Sequence, residues 1–161
     1  MDYLWTPWRY QYITKSGEPG ECIFCAAARG DRDQDSLIVH RAERNFVILN
    51  RFPYTNGHIM VVPYEHVANL EDLSDAALVE LIRLARSSEK HLRALYRPEG
   101  LNLGINIGRS AGAGIADHVH LHILPRWTGD TNFMTAVGET RVLPEDLAAT
   151  WEKLRQAFTA R

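Results

Sequence analysis

The chain has 161 residues, 45% of them apolar and 24% charged, with a formal net charge of -2. That length predicts one domain with a core that needs no disulfide or metal staple, and that balance excludes disordered, collagen-like and nucleic-acid-coating proteins. No apolar run is long enough for a membrane span, and Met1-Asp2-Tyr3 does not open a secretory signal, so a cytoplasmic protein without membrane or nucleic-acid partners is expected.

Residues 1–20 read as an aromatic arm carrying Tyr3, Trp5, Trp8, Tyr10 and Tyr12, laid over the core or over a partner subunit, with Arg9 in reach of a phosphate. Cys22-Ile23-Phe24-Cys25 follows. By itself the pair is open between small buried hydrophobes, a redox dithiol and half of a zinc site; a thioredoxin-like reading wants an apolar strand before Cys22, and none is visible. A charged turn at 30–34 leads into three short β-branched runs, 37–39, 46–49 and 59–62, which read as strands. The last two are separated by the loop Asn50-Arg51-Phe52-Pro53-Tyr54-Thr55-Asn56-Gly57-His58. Leu78, Leu81, Ala85, Ser88, Leu92 and Leu95 then recur at helical spacing, with Ser74 as N-cap and Pro98 and Gly100 beyond the end, predicting an amphipathic helix over 74–96.

Alternation returns in 101–107, a further strand, and then comes Gly108-Arg109-Ser110-Ala111-Gly112-Ala113-Gly114. Glycines let backbone amides approach an anion closely, although this loop has neither the lysine of a P-loop nor the context of a dinucleotide fold. In the stretch 118–127 Val119, Leu121 and Ile123 alternate with His118, His120 and His122, the period of a strand with three imidazoles on one face. The tail, 134–161, reads as a docking helix opened by Pro144 and striped by Leu147, Trp151, Leu154 and Phe158.

His118-x-His120-x-His122 followed by apolar residues resembles the signature of the histidine triad (HIT) superfamily of nucleotidyl transferases and hydrolases, and the similarity runs roughly from Cys22 to Phe133. The resemblance implies an α+β, HIT-like fold: a mostly antiparallel sheet of about five strands with two main helices, continued across a homodimer. It organises the chain as a single HIT domain, 1–161, with the arm at 1–20, the core at 21–133 and the docking helix at 134–161. In zinc-carrying branches of the superfamily the metal ligands correspond to Cys22, Cys25, His66 and His118, which implies a structural zinc.

The same resemblance makes His120 the nucleophile, His122 a donor to a phosphate oxygen, and His118 either an orienting group or a zinc ligand. Asn50 is implied as a nucleotide-sugar contact and Asn106 as a contact to the sugar or the α-phosphate. His58 is either a fourth histidine near the phosphates or a strand-opening residue bonded to backbone. The backbone from Gly112 to Gly114 would hold phosphate. Many relatives carry glutamine, serine or threonine just before the triad; here Gly114-Ile115-Ala116-Asp117 offers no such donor, leaving Arg109, Ser110 or a bare amide to replace it. Trp5-Thr6-Pro7, the 108–112 loop and Pro125-Arg126-Trp127-Thr128-Gly129-Asp130-Thr131-Asn132-Phe133 resemble bacterial diadenosine polyphosphate phosphorylases, in which Trp127 would stack on or enclose adenine or else simply pack.

A neutral imidazole attacks phosphorus well, splitting one displacement into two through a nucleotidyl-histidine. The implied activity is phosphorolysis of diadenosine tetraphosphate, with magnesium possible on the polyphosphate. Dinucleoside polyphosphate hydrolysis, phosphoramidase activity and a nucleotide-binding sensor with little turnover are the alternatives.

Overall fold

The computed structural model describes residues 21–131, Thr135 and 143–160. The aromatic arm, with Trp5-Thr6-Pro7 and Arg9, and the pair Asn132-Phe133 lie outside the described residues. The elements in chain order are α1 (Ile23–Arg29), α2 (Asp33–Ser36), β1 (Ile38–Arg41), β2 (Asn45–Leu49), β3 (Ile59–Pro63), α3 (Asp75–Tyr96), β4 (Gly100–Ile105), β5 (Leu121–Arg126) and α4 (Leu147–Thr159). The five strands form one antiparallel sheet in the order β1-β2-β3-β5-β4. This is the α+β architecture expected, with α3 and α4 as the two main helices.

Strand periodicity sorts the side chains onto two faces. Val39, Val47, Leu49, Ile59, Val61, Leu121 and Ile123 point one way and pack with Leu81, Ala85 and Leu92 of α3 and Leu154 of α4. Ile38, Phe46, Ile48, Met60 and Val62 point the other way and pack with Phe24 of α1. The long helix starts where the Ser74 hydroxyl accepts from the Ala77 amide at 3.3 Å, as the capping pattern predicts, and ends at Arg97 in the left-handed conformation. Of the anticipated apolar stripe, Leu95 is 38% exposed, and Ala77 and Leu84 take up the burial instead.

Several boundaries differ from expectation for identifiable reasons. Leu37 does not open the first strand: it closes α2 at φ 66°, and α2 itself occupies part of the charged turn. The C-terminal helix begins at Leu147 rather than Pro144, because the Asp146 carboxylate accepts from the Ala149 amide at 2.8 Å and caps it. That helix protects the edge of the sheet: Trp151 Nε1 donates to the Ile38 carbonyl at 2.9 Å and Arg155 to the Val39 carbonyl at 3.1 Å. The opposite edge, β4, leaves Leu103 half-exposed.

Candidate functional site

The site lies on the sheet face away from α3, and α1 brings half of it. Cys22 is the N-cap of α1 and Cys25 stands in its first turn. Three charge-assisted bonds hold this short helix down, as Arg41 of β1 donates to the carbonyls of Ala27, Ala28 and Gly30 at 3.3, 2.7 and 2.9 Å, and a fourth, to the Asp33 carboxylate of α2 at 2.8 Å, fixes the guanidinium. The helix thereby sets both thiols against His66, three residues past β3, and His118, three residues before β5.

These four side chains form one cluster whose ligand atoms lie within 4.8 Å of one another. Cys22 Sγ is 3.3 Å and Cys25 Sγ 3.7 Å from His118 Nδ1, while His66 Nδ1 is 3.2 Å from Cys25 Sγ and 3.2 Å from His118 Nδ1. A tetrahedral zinc with bonds of about 2.3 Å to sulfur and about 2.0 Å to nitrogen needs edges of about 3.3 Å between nitrogens, about 3.5 Å between nitrogen and sulfur and about 3.8 Å between sulfurs. The donor set and its spacing therefore fit a metal. His118 is also set up as a ligand by its other nitrogen, since Nε2–H donates to the Pro63 carbonyl at 3.0 Å and leaves the Nδ1 lone pair facing the cluster. The described residues hold no second cluster of this kind, and magnesium finds no ligand set of its own among them.

The alternation of 118–123 survives in three dimensions with one correction. Val119, Leu121 and Ile123 do enter the aliphatic core, and the imidazoles take the other side. Only His122 belongs to the paired strand, however, because β5 begins at Leu121; His118 and His120 approach it on a segment tied to the loop after β3 by the Val119 amide, which donates to the Val67 carbonyl at 2.7 Å. Nor is the imidazole face open to water. His118 is 1% and His120 4% exposed, covered by Phe24, whose ring centre lies 5.4 Å from that of His118 and 4.9 Å from that of His120.

Hydrogen bonds assign the tautomers. His120 Nδ1–H donates to the backbone carbonyl of His118 at 2.8 Å, which leaves the lone pair on Nε2. So the backbone of His118, not its ring, orients His120, and the two roles expected to compete for one imidazole are separated. His58 Nδ1 accepts from the Tyr54 amide at 3.2 Å and from Asn50 Nδ2 at 3.3 Å, so its proton is on Nε2, which donates to His122 Nδ1 at 2.9 Å. His122 in turn carries its own proton on Nε2. Burial pushes the pKa of His120 down against the opposing effect of the His118 carbonyl, and burial together with the neighbouring His120 lowers that of His122 to about 4. Both rings are neutral at pH 7, His120 with a lone pair on Nε2 and His122 with a proton there.

His58 is bonded to backbone, as one of its two readings expects, and it also contacts His122 of the triad. Asn50 organises this loop, its Oδ1 accepting from the Phe52 amide at 3.0 Å while its amide group reaches His58. Gly57 makes the turn possible at φ 74°, where a Cβ would lie 3.1 Å from Tyr96 and 3.2 Å from Leu92. Asn106 directly follows the Ile105–Leu121 pair and so comes level with His120. Arg109 and Ser110 lie in a short 3-10 turn bounded by Gly108 at φ 78° and Gly112 at φ 89°, with Gly114 next before the triad segment. Trp127 goes elsewhere: it follows the far end of β5, about 16 Å along the strand from His122, in a turn closed by Asp130 and Arg126. Within one chain it is remote from the imidazoles.

Two site residues escaped sequence reasoning. Tyr54 places its ring 4.9 Å from that of His58 and 6.5 Å from that of His122, and Phe24 walls His120. The aromatic residue between the two cysteines was the available signal for Phe24.

The family model for the HIT domain matches residues 31–129. The chain belongs to the HIT family. It is 38% identical over 157 residues to the AP-4-A phosphorylase of Mycobacterium tuberculosis, covering 93% of this chain and 80% of that one. To the adenosine 5'-monophosphoramidase of Schizosaccharomyces pombe it is 29% identical over 133 residues, 83% of this chain and 95% of that one. Among solved structures, a Zn-bound histidine triad family protein from Mycobacterium smegmatis superposes with a TM-score of 0.70 at 28% identity, over 86% of this chain and 94% of that one. As a HIT protein the chain takes nucleotide substrates, and its Cys/His cluster can hold a metal ion.

Proposed function

We propose that this HIT protein splits diadenosine tetraphosphate by phosphorolysis through an adenylyl group carried on His120. The observation that carries the reading is the His120 tautomer: with Nδ1–H spent on the His118 carbonyl, Nε2 is a neutral lone-pair donor in a dry setting. Likeness to the AP-4-A phosphorylase over nearly the whole chain supports the choice of substrate.

In the first step Nε2 of His120 attacks the α-phosphorus of one adenylyl half, the bond from that phosphorus to the bridging oxygen breaks, and ATP leaves. His122, protonated on Nε2 because His58 donates to its Nδ1, supplies a hydrogen bond to the oxygen that gathers charge. The amides of Gly112 and Ala113 close the turn on the Arg109 and Gly108 carbonyls at 2.9 and 3.4 Å, so of the 112–114 segment the Gly114 amide is assigned to the equatorial oxygens, with Asn106 beside it and Arg109 or Ser110 taking the place of the missing donor before the triad. Asn50 reaches the ribose while it holds the His58 loop. In the second step an oxygen of inorganic phosphate attacks the adenylyl phosphorus, the bond to Nε2 breaks, and ADP is released.

We assign zinc to Cys22, Cys25, His66 and His118, where it ties α1 to the catalytic segment as a closed structural site. Trp127, remote from its own triad, is assigned to an adenine held across a homodimer, and the half-exposed Leu103 on the β4 edge supports pairing of that edge with a second copy. The chain is taken as one HIT domain of the cytoplasm; no helix among the described residues is long and apolar enough to cross a membrane.

Incubation of diadenosine tetraphosphate with and without inorganic phosphate tests the reaction. ADP plus ATP formed only with phosphate is the expected result. AMP plus ATP without regard to phosphate would move the protein to hydrolysis, and binding with no turnover of this substrate or of a phosphoramidate would leave a sensor.

A further inference from the structure

The metal cluster and the nucleophile share a wall. Phe24 lies between Cys22 and Cys25 in sequence, is 2% exposed, and touches both His118 and His120 with its ring. His118 joins the same two places from the other side, its Nδ1 in the cluster and its carbonyl on His120 Nδ1. Whatever opens the cluster therefore loosens both supports of His120. The cluster is open to attack from solvent, because His66 is exposed and neither cysteine is fully buried.

We propose that the Cys22–Cys25 dithiol is an oxidation-sensitive clamp on the catalytic centre. The two sulfurs are within 4.8 Å of each other, three residues apart at the start of one helix, which suits a disulfide between them. A hydroperoxide is the oxidant. One thiolate attacks its oxygen, the O–O bond breaks and a sulfenic acid forms; the second thiolate attacks that sulfur and expels hydroxide. Two electrons pass from the thiolates to the peroxide, two protons complete two waters for hydrogen peroxide, and a metal left with two histidines departs. Oxidation then unties the N-terminal end of α1 from His118 while Arg41 still holds its C-terminal end, so that Phe24 tilts off His120 and opens it. This inference rests on the role of His120 and on the contacts of both thiols with His118, with or without a metal between them.

The test uses the full chain as purified, treated with hydrogen peroxide and followed by three readouts: metal released to a colorimetric chelator, intact mass, and the rate at which diethyl pyrocarbonate modifies His120, read by peptide mapping. The expected result is loss of the metal together with two thiols, a mass lower by roughly 2 Da, and a His120 rate raised about fivefold or more, all reversed by dithiothreitol and zinc. Phe24→Leu, with its metal intact, should show the raised His120 rate before any oxidant is added. Persistence of both thiols under peroxide, or a disulfide that leaves the His120 rate unchanged, overturns the clamp. Protein purified without metal would remove the zinc assignment alone, since mass and His120 reactivity still decide the clamp, and none of these readouts depends on the substrate assigned above.

Discussion

The two faces of the sheet are built from opposite materials. Under α3 the face is mostly aliphatic, with Val39, Val47, Val61, Leu81, Leu92 and Ile123 all fully buried, and its few buried polar residues include Asn45, which donates to the Ala77 carbonyl at 3.1 Å. Under α1 it carries His118, His120 and His58, each at most 4% exposed, along with Phe24 and Met60. Aliphatic burial is non-directional and scales with area, so the first face tolerates substitution at the cost of volume. Buried imidazoles need every nitrogen accounted for, so the second face is specified by bonds: Pro63 and His118 carbonyls, the Tyr54 amide, Asn50 and the cysteine thiols. One face holds the fold and the other fixes protons.

The largest test of this division is His120→Ala. It should lower turnover by about 10⁴-fold while nucleotide binding and melting temperature change little, as steady-state kinetics and calorimetry would read. Equal loss of stability and activity would break the comparison. Leu81→Ala, on the other face, should do the reverse, costing about 3 kcal/mol in a denaturant titration through the cavity it leaves, with activity per folded molecule retained.

Acidification sharpens the contrast, because the buried imidazoles His120 and His122 lie on the α1 face, while His40 and His91, which pack against Phe158 of α4, are only partly buried. The folded-state pKa of His122 is about 4, below the ordinary value of 6.5, so the unfolded chain binds the proton more readily. Its contribution is present above pH 6.5 and is lost as pH falls towards 4, a drop on the order of 3 kcal/mol. Turnover should fall in the same window as the neutral imidazoles charge. A Leu81→Ala protein should show the same pH slope; if its slope vanished, the two faces would not be independent.

A smaller effect is expected at Gly57→Ala, about 2 kcal/mol, because the left-handed backbone and the close Tyr96 and Leu92 atoms both resist a Cβ. Since this turn also aims His58, the variant should lose turnover as well. Ser74→Ala, which removes the cap of α3 together with the hydroxyl's bond to the Glu65 carboxylate, should cost about 1 kcal/mol and leave turnover unchanged.

Legibility followed the same division. Strands β2 and β3 were readable because short β-branched runs bounded by turn residues mark them, helix α3 because hydrophobic period specifies it, and the cap at Ser74 because its signal is local. The start of β5 was not: alternation begins at His118, yet ladder bonds begin at Leu121, since pairing depends on the reach of β3 and β4. The metal ligands could be named as a set from their likeness to zinc-carrying relatives. That His118 Nδ1 faces the thiols while its carbonyl orients His120 could not, because it depends on Pro63, a residue fifty-five positions away.

By itself, then, the order of side chains determined which residues share a face, where the long helix begins, and that three imidazoles and two thiols would be available to chemistry, because these follow from period and from side-chain identity. Tertiary structure decided the state of each nitrogen and the neighbour of each ring. A proton's place on an imidazole is set by the groups at both ends of the ring, and here those groups arrive from α1, β3 and the 50–58 loop, elements that only the packed sheet brings within 3 Å or so of one another.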